Sequence, residues 1–329
     1  MGRFSGCMSR FRKETSDISR ERLGQGASVV DGQAATGIEK LSKGVVVALI
    51  DDGVDSYDPA FSGRAIEDKT FDYQDGGVGQ YYISAKGHGT EMARTILKVC
   101  PMANIYSIRL KTHISPETGH STIDATSAAF VIEAALEKKA SIISMSWTIP
   151  INATEHYPSA YKRQRFFLIG AAHDDGSAYG HAGKDNDFIF PGVSVNTSGR
   201  NSLPLYLAEK TSSTKELTGS SIATALAADL AAMITYCFKA SALGIVSART
   251  QQGKEYISGP ELVKPGDVGK ISEHEVLKAA FSRFGNMENG QFIPVWNRFG
   301  PTSDVLEGEI KYESKLTYII NLYSNLIEH

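Results

Sequence analysis

The sequence predicts an α/β fold: a three-layer, Rossmann-like, doubly wound arrangement around a mainly parallel sheet. Two observations lead to this prediction. Short apolar runs rich in β-branched residues recur along the chain, as is typical of strands buried on both faces of a parallel sheet. Segments with apolar residues at helical spacing lie between them, and such alternation places helices over the sheet through right-handed crossovers.

Five apolar runs predict the strands of this sheet. They cover residues 44–50, 105–110, 141–147, 165–172 and 188–195.

Three helices are predicted around these strands. Residues 90–99 carry an apolar face at helical spacing, and residues 125–139 are alanine-rich and end in two lysines, which suits a helix C-terminus. Residues 221–238 are small and apolar almost all round, which predicts a buried central helix. Four alanines of that helix are predicted to be buried: Ala223, Ala225, Ala228 and Ala232.

The domain organisation is predicted in three parts. Residues 1–43 show no sustained period and are interpreted as a loose extension. Residues 44–240 form the predicted catalytic domain. Residues 241–329 are expected to pack on it as a long connection, extending to residue 272, and two helices over 273–284 and 311–327.

Composition excludes several classes of function. The chain has 329 residues and a net charge of −3, so it lacks the basic excess of a nucleic-acid-binding protein. No uninterrupted apolar run approaches a membrane span, and no secretory signal opens the sequence. Three scattered cysteines predict no disulfide framework. We therefore expect a cytoplasmic protein with no membrane or nucleic-acid partner.

Three polar motifs lie where this fold places active sites, at strand ends or where a glycine turn opens a helix. Asp51 directly follows the first strand, His88 precedes the first helix within Gly-His-Gly-Thr, and Ser221 follows Thr-Gly-Ser before the central helix. Each motif alone is commonly a turn, a loop histidine or a helix cap. Together they have the order Asp, His, Ser of one class of serine-protease triad.

The chemistry of a nucleophilic serine requires these residue types. Its hydroxyl is a poor nucleophile until an imidazole takes its proton, and a carboxylate must hold the other imidazole nitrogen. A helix N-terminus also directs backbone N–H groups toward a developing oxyanion.

These motifs resemble those of the subtilisin-like serine proteases, the subtilases. The likeness lies in Val-Ala-Leu-Ile-Asp51-Asp-Gly, Lys-Gly-His88-Gly-Thr-Glu-Met-Ala and Gly-Ser-Ser221-Ile-Ala-Thr-Ala, and it covers residues 44–238. It is greatest for intracellular fungal subtilase domains. The resemblance implies a subtilisin-like fold and serine endopeptidase activity, with Asp51 orienting His88, His88 as general base and Ser221 as nucleophile.

Substrate binding is also implied by the resemblance. The family binds peptide or protein substrates as an added strand, which here would contact residues 117–121 and 146–149. The corresponding side chains are Gly119, His120, Ser146, Trp147 and Thr148. Trp147-Thr148-Ile149 replaces a glycine-rich wall of the specificity pocket, so Trp147 either narrows or reshapes that pocket or packs beneath the sheet.

Other departures from the family pattern qualify the resemblance. Asp52 occupies a small-residue position and is interpreted as a turn or cap residue. Ser220 and Ala225 replace a threonine and a proline, which are mild changes. Only 50 residues precede Asp51, so the enzyme either folds without a pro-domain or is one domain of a longer protein.

Asp174 is the most consequential departure, because it falls at the oxyanion-hole asparagine. A carboxyl group can donate to the oxyanion only when protonated, and an ionised one would repel it. The predicted oxyanion hole is Asp174 with the Ser221 N–H, or Ser221 alone if Asp174 turns aside.

The alternatives belong to other functional classes. One is a catalytically impaired subtilase fold that binds peptides or acts in signalling. A nucleotide-binding protein is disfavoured because no Gly-x-Gly-x-x-Gly follows the first strand. No metal site or cofactor is predicted; calcium is common in secreted relatives, but no loop here is specific enough to assign it.

Overall fold

The computed structural model describes most of the chain outside its N-terminal region. The described residues are 4, 6–11, 13–14, 17, 44–62, 66–74, 77–80, 82–114, 121–152, 155–183, 185–196, 216–252, 269–285, 291–294, 296–308 and 311–324. Their contacts define two compact units. One consists of residues 46–98 and 104–229, and the other of residues 1–45, 99–103 and 230–329. The predicted division at residues 43 and 240 stays a prediction.

A four-stranded sheet forms the centre of the first unit. Its strands are β1 (Val45–Asp51), β2 (Glu67–Thr70), β5 (Ala103–Arg109) and β8 (Ile142–Met145), in the order β2-β5-β1-β8. β1 runs parallel to β8, and β2 runs parallel to β5. The structure therefore confirms the predicted α/β class with a mainly parallel sheet.

Both faces of β1 are buried, as its apolar sequence requires. Ala48 and Ile50 belong to a core cluster with helix α2 (Ala125–Glu137), where Ala128 and Val131 are wholly buried. Val47 and Leu49 point to the opposite face because strand side chains alternate, and they are also inaccessible. With no face left to solvent, β1 holds its last residue, Asp51, at a fixed edge of the sheet.

Shorter strands surround this sheet. β11 (Ile169–Ala172) and β12 (Phe188–Pro191) form a second parallel pair. The remaining strands form antiparallel pairs: β3 (Tyr73–Gln74) with β4 (Gly77–Val78), β6 (Thr112–Ile114) with β7 (Ser121–Ile123), β9 (Ile149–Pro150) with β10 (His156–Tyr157), and β13 (Val195–Asn196) with β14 (Glu216–Leu217).

Two helices begin at or one residue before a predicted site residue, His88 and Ser221. α1 is His88–Val99, and α3 is Ser220–Gln252. The four alanines predicted to be buried in α3 are 0 to 7% exposed, so that prediction is confirmed. One described segment, Ser220–Ala242, is long and apolar enough to cross a membrane, yet 89% of the tested window is buried inside the protein, as in a core helix.

The predicted end of α3 at residue 238 is wrong, because the helix continues to Gln252. The prediction relied on Gly244 as a helix breaker. A single interior glycine costs only about 1 kcal/mol, so Gly244 alone does not end a helix. The rest of the predicted long connection, residues 253–268, lies outside the described residues.

The second unit contains α4 (His274–Phe284), α5 (Trp296–Glu307) and α6 (Tyr312–Ser324). α4 and α6 were predicted within a few residues, whereas α5 was not predicted. Its sequence includes Gly300 and Pro301, which normally argue against a helix.

The N-terminal residues differ from the predicted loose extension. Phe4, Cys7, Met8 and Phe11 are all buried, and the described residues between 4 and 11 are helical. Phe4 stacks on Phe299 with ring centroids 4.2 Å apart. Positions 4, 7, 8 and 11 form the apolar stripe of a helix, which the surrounding arginines and serines obscured.

Candidate active site

Asp51 and His88 meet at the carboxyl end of β1. The Nδ1 atom of His88, the first residue of α1, lies 2.8 Å from Oδ1 of Asp51. The Asp51 side chain is only 7% exposed, whereas that of His88 is 42% exposed. The buried carboxylate thus holds one nitrogen of an imidazole whose ring remains accessible, which is the pairing that a general base needs.

Burial gives Asp51 an unusual electrostatic environment. Its Oδ1 also accepts a hydrogen bond from the Asp52 N–H at 2.8 Å, and its Oδ2 is buried without a partner among the described residues. Burial raises the pKa of Asp51 above its usual value, and the hydrogen bond and charge of His88 oppose that rise without reversing it.

Ser221 occupies the first turn of α3 and is partly exposed. Gly219, with φ of +141°, turns the chain into the helix, and its N–H donates to the Gly192 carbonyl at 2.7 Å. No hydrogen bond joins Ser221 to His88 within the described part of the chain. Such contacts are often long in unliganded enzymes and shorten when substrate binds.

Asp174 lies on the loop that follows β11. The loop is tight, with the Gly176 N–H donating to the His173 carbonyl at 3.0 Å. The Asp174 side chain is exposed to solvent. Asp175, its neighbour, accepts hydrogen bonds from Ser177 N–H and Oγ, and these lower the pKa of Asp175. The role of Asp174 in the oxyanion hole stays a prediction.

Trp147 packs against the core cluster, and its role in the specificity pocket stays a prediction. Its indole N–H donates to the Ile50 carbonyl at 3.2 Å, and its ring packs against the core cluster between the sheet and α2. Trp147 therefore packs beneath the sheet. The neighbouring Thr148 instead lines a cavity.

This cavity, of about 1040 Å³, opens beside the N-terminus of α3. Its lining residues include Thr148, Gly170, Gly219 and Ser220. A Cβ at Gly170 would come within 2.8 Å of three side chains, so the wall there requires glycine. The cavity adjoins the predicted nucleophile and is large enough to hold a substrate side chain.

The other predicted substrate-binding residues are only partly testable. Ser146 follows β8, and its buried Oγ has no partner among the described residues. Gly119 and His120 lie outside the described residues. Where the chain is described, no group of three or more metal-ligating side chains could hold a metal ion.

Asp52 contacts the segment that carries His88, and sequence reasoning missed these contacts. The sequence suggested a turn or cap, but its carboxylate bonds the segment that carries His88. The available signal was the position of Asp52 between Asp51 and a glycine, where the resemblance implies a small residue.

Comparison with known proteins shows which family these motifs resemble. Residues 42–171 match the subtilase family model, a stretch that contains both Asp51 and His88. The predicted resemblance to the subtilases is confirmed. The match supports a serine protease, and Ser221 lies beyond the matched subtilase stretch. No curated protein matches the chain.

Solved structures with similar folds include three proteases. A lanthipeptide protease is 15% identical, with a TM-score of 0.48, over 78% of this chain and 87% of its own. The self-cleaved protease domain of PatA is 16% identical, with a TM-score of 0.46, over 84% of this chain and 96% of its own. A cold-adapted subtilisin-like serine proteinase is 18% identical, with a TM-score of 0.45, over 65% of this chain and 84% of its own.

Proposed function

We propose that this chain is a serine endopeptidase that hydrolyses peptide bonds through an acyl-enzyme, with Asp51, His88 and Ser221 as its triad. The observation that carries the proposal is the 2.8 Å contact between His88 Nδ1 and Asp51 Oδ1 at the buried end of β1. The subtilase match over the same stretch supports it.

The residues would act in sequence. His88 Nε2 takes the proton of Ser221 Oγ as that oxygen attacks the scissile carbonyl, and the resulting imidazolium donates the proton to the leaving amine. Asp51 stabilises the imidazolium through Nδ1. A water molecule, activated by His88, then hydrolyses the acyl-enzyme and restores the serine.

The first turn of α3 supplies the donor for the oxyanion. Backbone N–H groups at a helix N-terminus have no partner within the helix, so the Ser221 N–H is available to stabilise negative charge. The cavity beside Gly219 would receive the substrate side chain next to the cleaved bond. The chain would act on peptide or protein substrates without a cofactor, in the cytoplasm.

Hydrolysis of a protein substrate tests this proposal. The wild type should cleave unfolded casein, and Ser221→Ala should reduce cleavage by about 10⁵- to 10⁶-fold, to background. Ser220→Ala is the matched control, because it removes a neighbouring hydroxyl from the same turn and should retain measurable cleavage. Equal cleavage by Ser221→Ala and wild type would exclude the proposed nucleophile.

A second candidate function is peptide binding by a catalytically impaired subtilase fold. The observation that favours it is the exposed carboxyl group of Asp174 at the position of an oxyanion donor. In that case the wild type would bind peptides saturably at the cavity beside Gly219 but release no cleavage products.

A further inference from the structure

The Asp52 carboxylate connects the turn after β1 to residues 84–89, here called the His segment. Both of its oxygens accept hydrogen bonds from that segment. The donors are Ser84 Oγ at 2.6 Å and the Gly89 N–H at 2.8 Å on Oδ1, and the Lys86 N–H at 2.6 Å on Oδ2. These donors lie on both sides of His88 along the chain.

The backbone of Asp52 adds a further bond, since its carbonyl accepts from the Ala85 N–H at 3.0 Å. The turn and the His segment are also in close contact. A Cβ at Gly89 would lie 2.2 Å from the Gly53 carbonyl oxygen and 3.1 Å from Asp52 Oδ1. The position of the segment is therefore set by Asp52 and by direct backbone packing.

We propose that Asp52 is a positioning residue: its carboxylate fixes the His segment so that Nδ1 of His88 meets Asp51. The proposal rests on the proposed serine-protease function. Asp52 acts through His88, because both of its oxygens are engaged by the His segment. A serine or threonine at position 52 has a shorter side chain with a single oxygen. It could not accept hydrogen bonds from donors on both sides of His88.

The hydrogen bonds of Asp52 indicate how much activity should be lost when its carboxylate is removed. Without the carboxylate, the N–H groups of Lys86 and Gly89 lose a charged acceptor, and the segment shifts to find water or other partners. A displacement of about 1 Å in a catalytic group costs on the order of 10²-fold in rate. Substrate binding at the cavity beside Gly219 does not depend on this bond, so KM should change little.

Kinetics of Asp52→Ala provide the first test. We expect kcat to fall about 10- to 100-fold with KM within about 2-fold of wild type. Asp52→Asn retains one acceptor oxygen and should recover part of the loss. Asp124→Ala is the matched control, since Asp124 also accepts a backbone N–H, from Ser127 at the start of α2, but does not contact the His segment.

A second readout does not require turnover. A histidine Nδ1–H bonded to a carboxylate gives a far-downfield proton resonance, assigned to His88 by its loss in His88→Gln. This resonance should disappear or shift in Asp52→Ala and stay unchanged in Asp124→Ala. If the wild type proves inactive on every substrate, the resonance still tests Asp52, so the positioning role and the proposed function can fail separately.

Ser84→Ala keeps the test valid if Asp52→Ala does not fold. It removes only the bond from Ser84 Oγ to Asp52, and we expect about a 5-fold decrease in kcat with a measurable shift of the resonance. Each folded variant at Asp52 or Ser84 is compared with wild type and with Asp124→Ala in kcat and in the His88 resonance. The proposal is overturned if these variants match wild type, or change no more than Asp124→Ala does, in both measurements.

Discussion

Nδ1 of His88 lies 2.8 Å from Oδ1 of Asp51, joining the first residue of a helix to the last residue of a buried strand. The strand cannot slide, because both of its faces are buried in the core. The imidazole is therefore held from its Nδ1 side while its ring remains partly open to solvent. A general base requires this asymmetry.

Asp51→Asn should reduce kcat about 10³- to 10⁴-fold with little change in KM, because an amide favours the wrong imidazole tautomer. Steady-state hydrolysis of a fluorogenic peptide measures this. Asp68→Asn is a suitable control, since burial also raises the pKa of Asp68 but its carboxylate bonds Ser56. A loss in Asp51→Asn no larger than in the control would contradict the orienting role.

Asp174→Asn should increase kcat at pH 8 by about 10-fold or more, because it exchanges a carboxyl group for an amide donor at the oxyanion position. The pH–rate profile of the peptide substrate measures this gain. Asp175→Asn is the control, since Asp175 instead holds Ser177 and should give no gain. An unchanged profile in Asp174→Asn would show that Asp174 is directed away from the oxyanion.

Ala228→Leu should lower the free energy of unfolding by about 1–3 kcal/mol through overpacking, since Ala228 is 7% exposed in α3. Urea denaturation measures the change. Ala129→Leu adds the same atoms to an exposed position of α2 and should be nearly neutral. Equal stability of the two variants would contradict the placement of α3 in the core.

The buried carboxyl group of Asp229 should make the free energy of unfolding depend on pH. It is fully buried, neither oxygen has a hydrogen-bond partner in the described part of the chain, and burial raises its pKa well above the usual value of 3.8. The folded state therefore keeps a proton that the unfolded state releases. From about pH 4 up to the folded pKa, the free energy of unfolding should fall by up to ~1.4 kcal/mol per pH unit from this group.

Asp229→Asn cannot ionise and should lack this contribution. The difference in unfolding free energy between the variant and wild type should move in favour of the variant as the pH rises from 4.5 to 7.5. Urea denaturation at both pH values measures it, and the other titrating groups are common to both proteins. A difference that does not vary with pH would show that Asp229 does not hold its proton on folding.

Much of the fold could be predicted because its strands are short, buried and apolar. β1 and the buried face of α3 follow directly from their hydrophobic pattern, and so does the position of Asp51 at a strand end. β2 could not be predicted, because Glu67–Thr70 is polar and becomes a strand only by pairing with β5. As the terminal strand of the sheet, it tolerates charged residues.

The site was predictable as a set of motifs but not as a set of contacts. The sequence places Asp51 next to Asp52, but it does not show that only the first meets His88. The hydrogen bonds that the Asp52 carboxylate accepts from the His segment join positions 32 to 37 residues apart, so they depend on the tertiary structure. Trp147 shows the same limit, since either of its two environments was consistent with the sequence.

Covalent labelling with a fluorophosphonate probe tests directly whether Ser221 is an activated nucleophile. Such a probe reacts with a serine only when a base activates it. We expect stoichiometric labelling located on Ser221 by peptide mass spectrometry, retained in Ser220→Ala, reduced in His88→Ala and absent in Ser221→Ala. No labelling of the folded wild type between pH 4 and 9, or labelling of another serine, would contradict it.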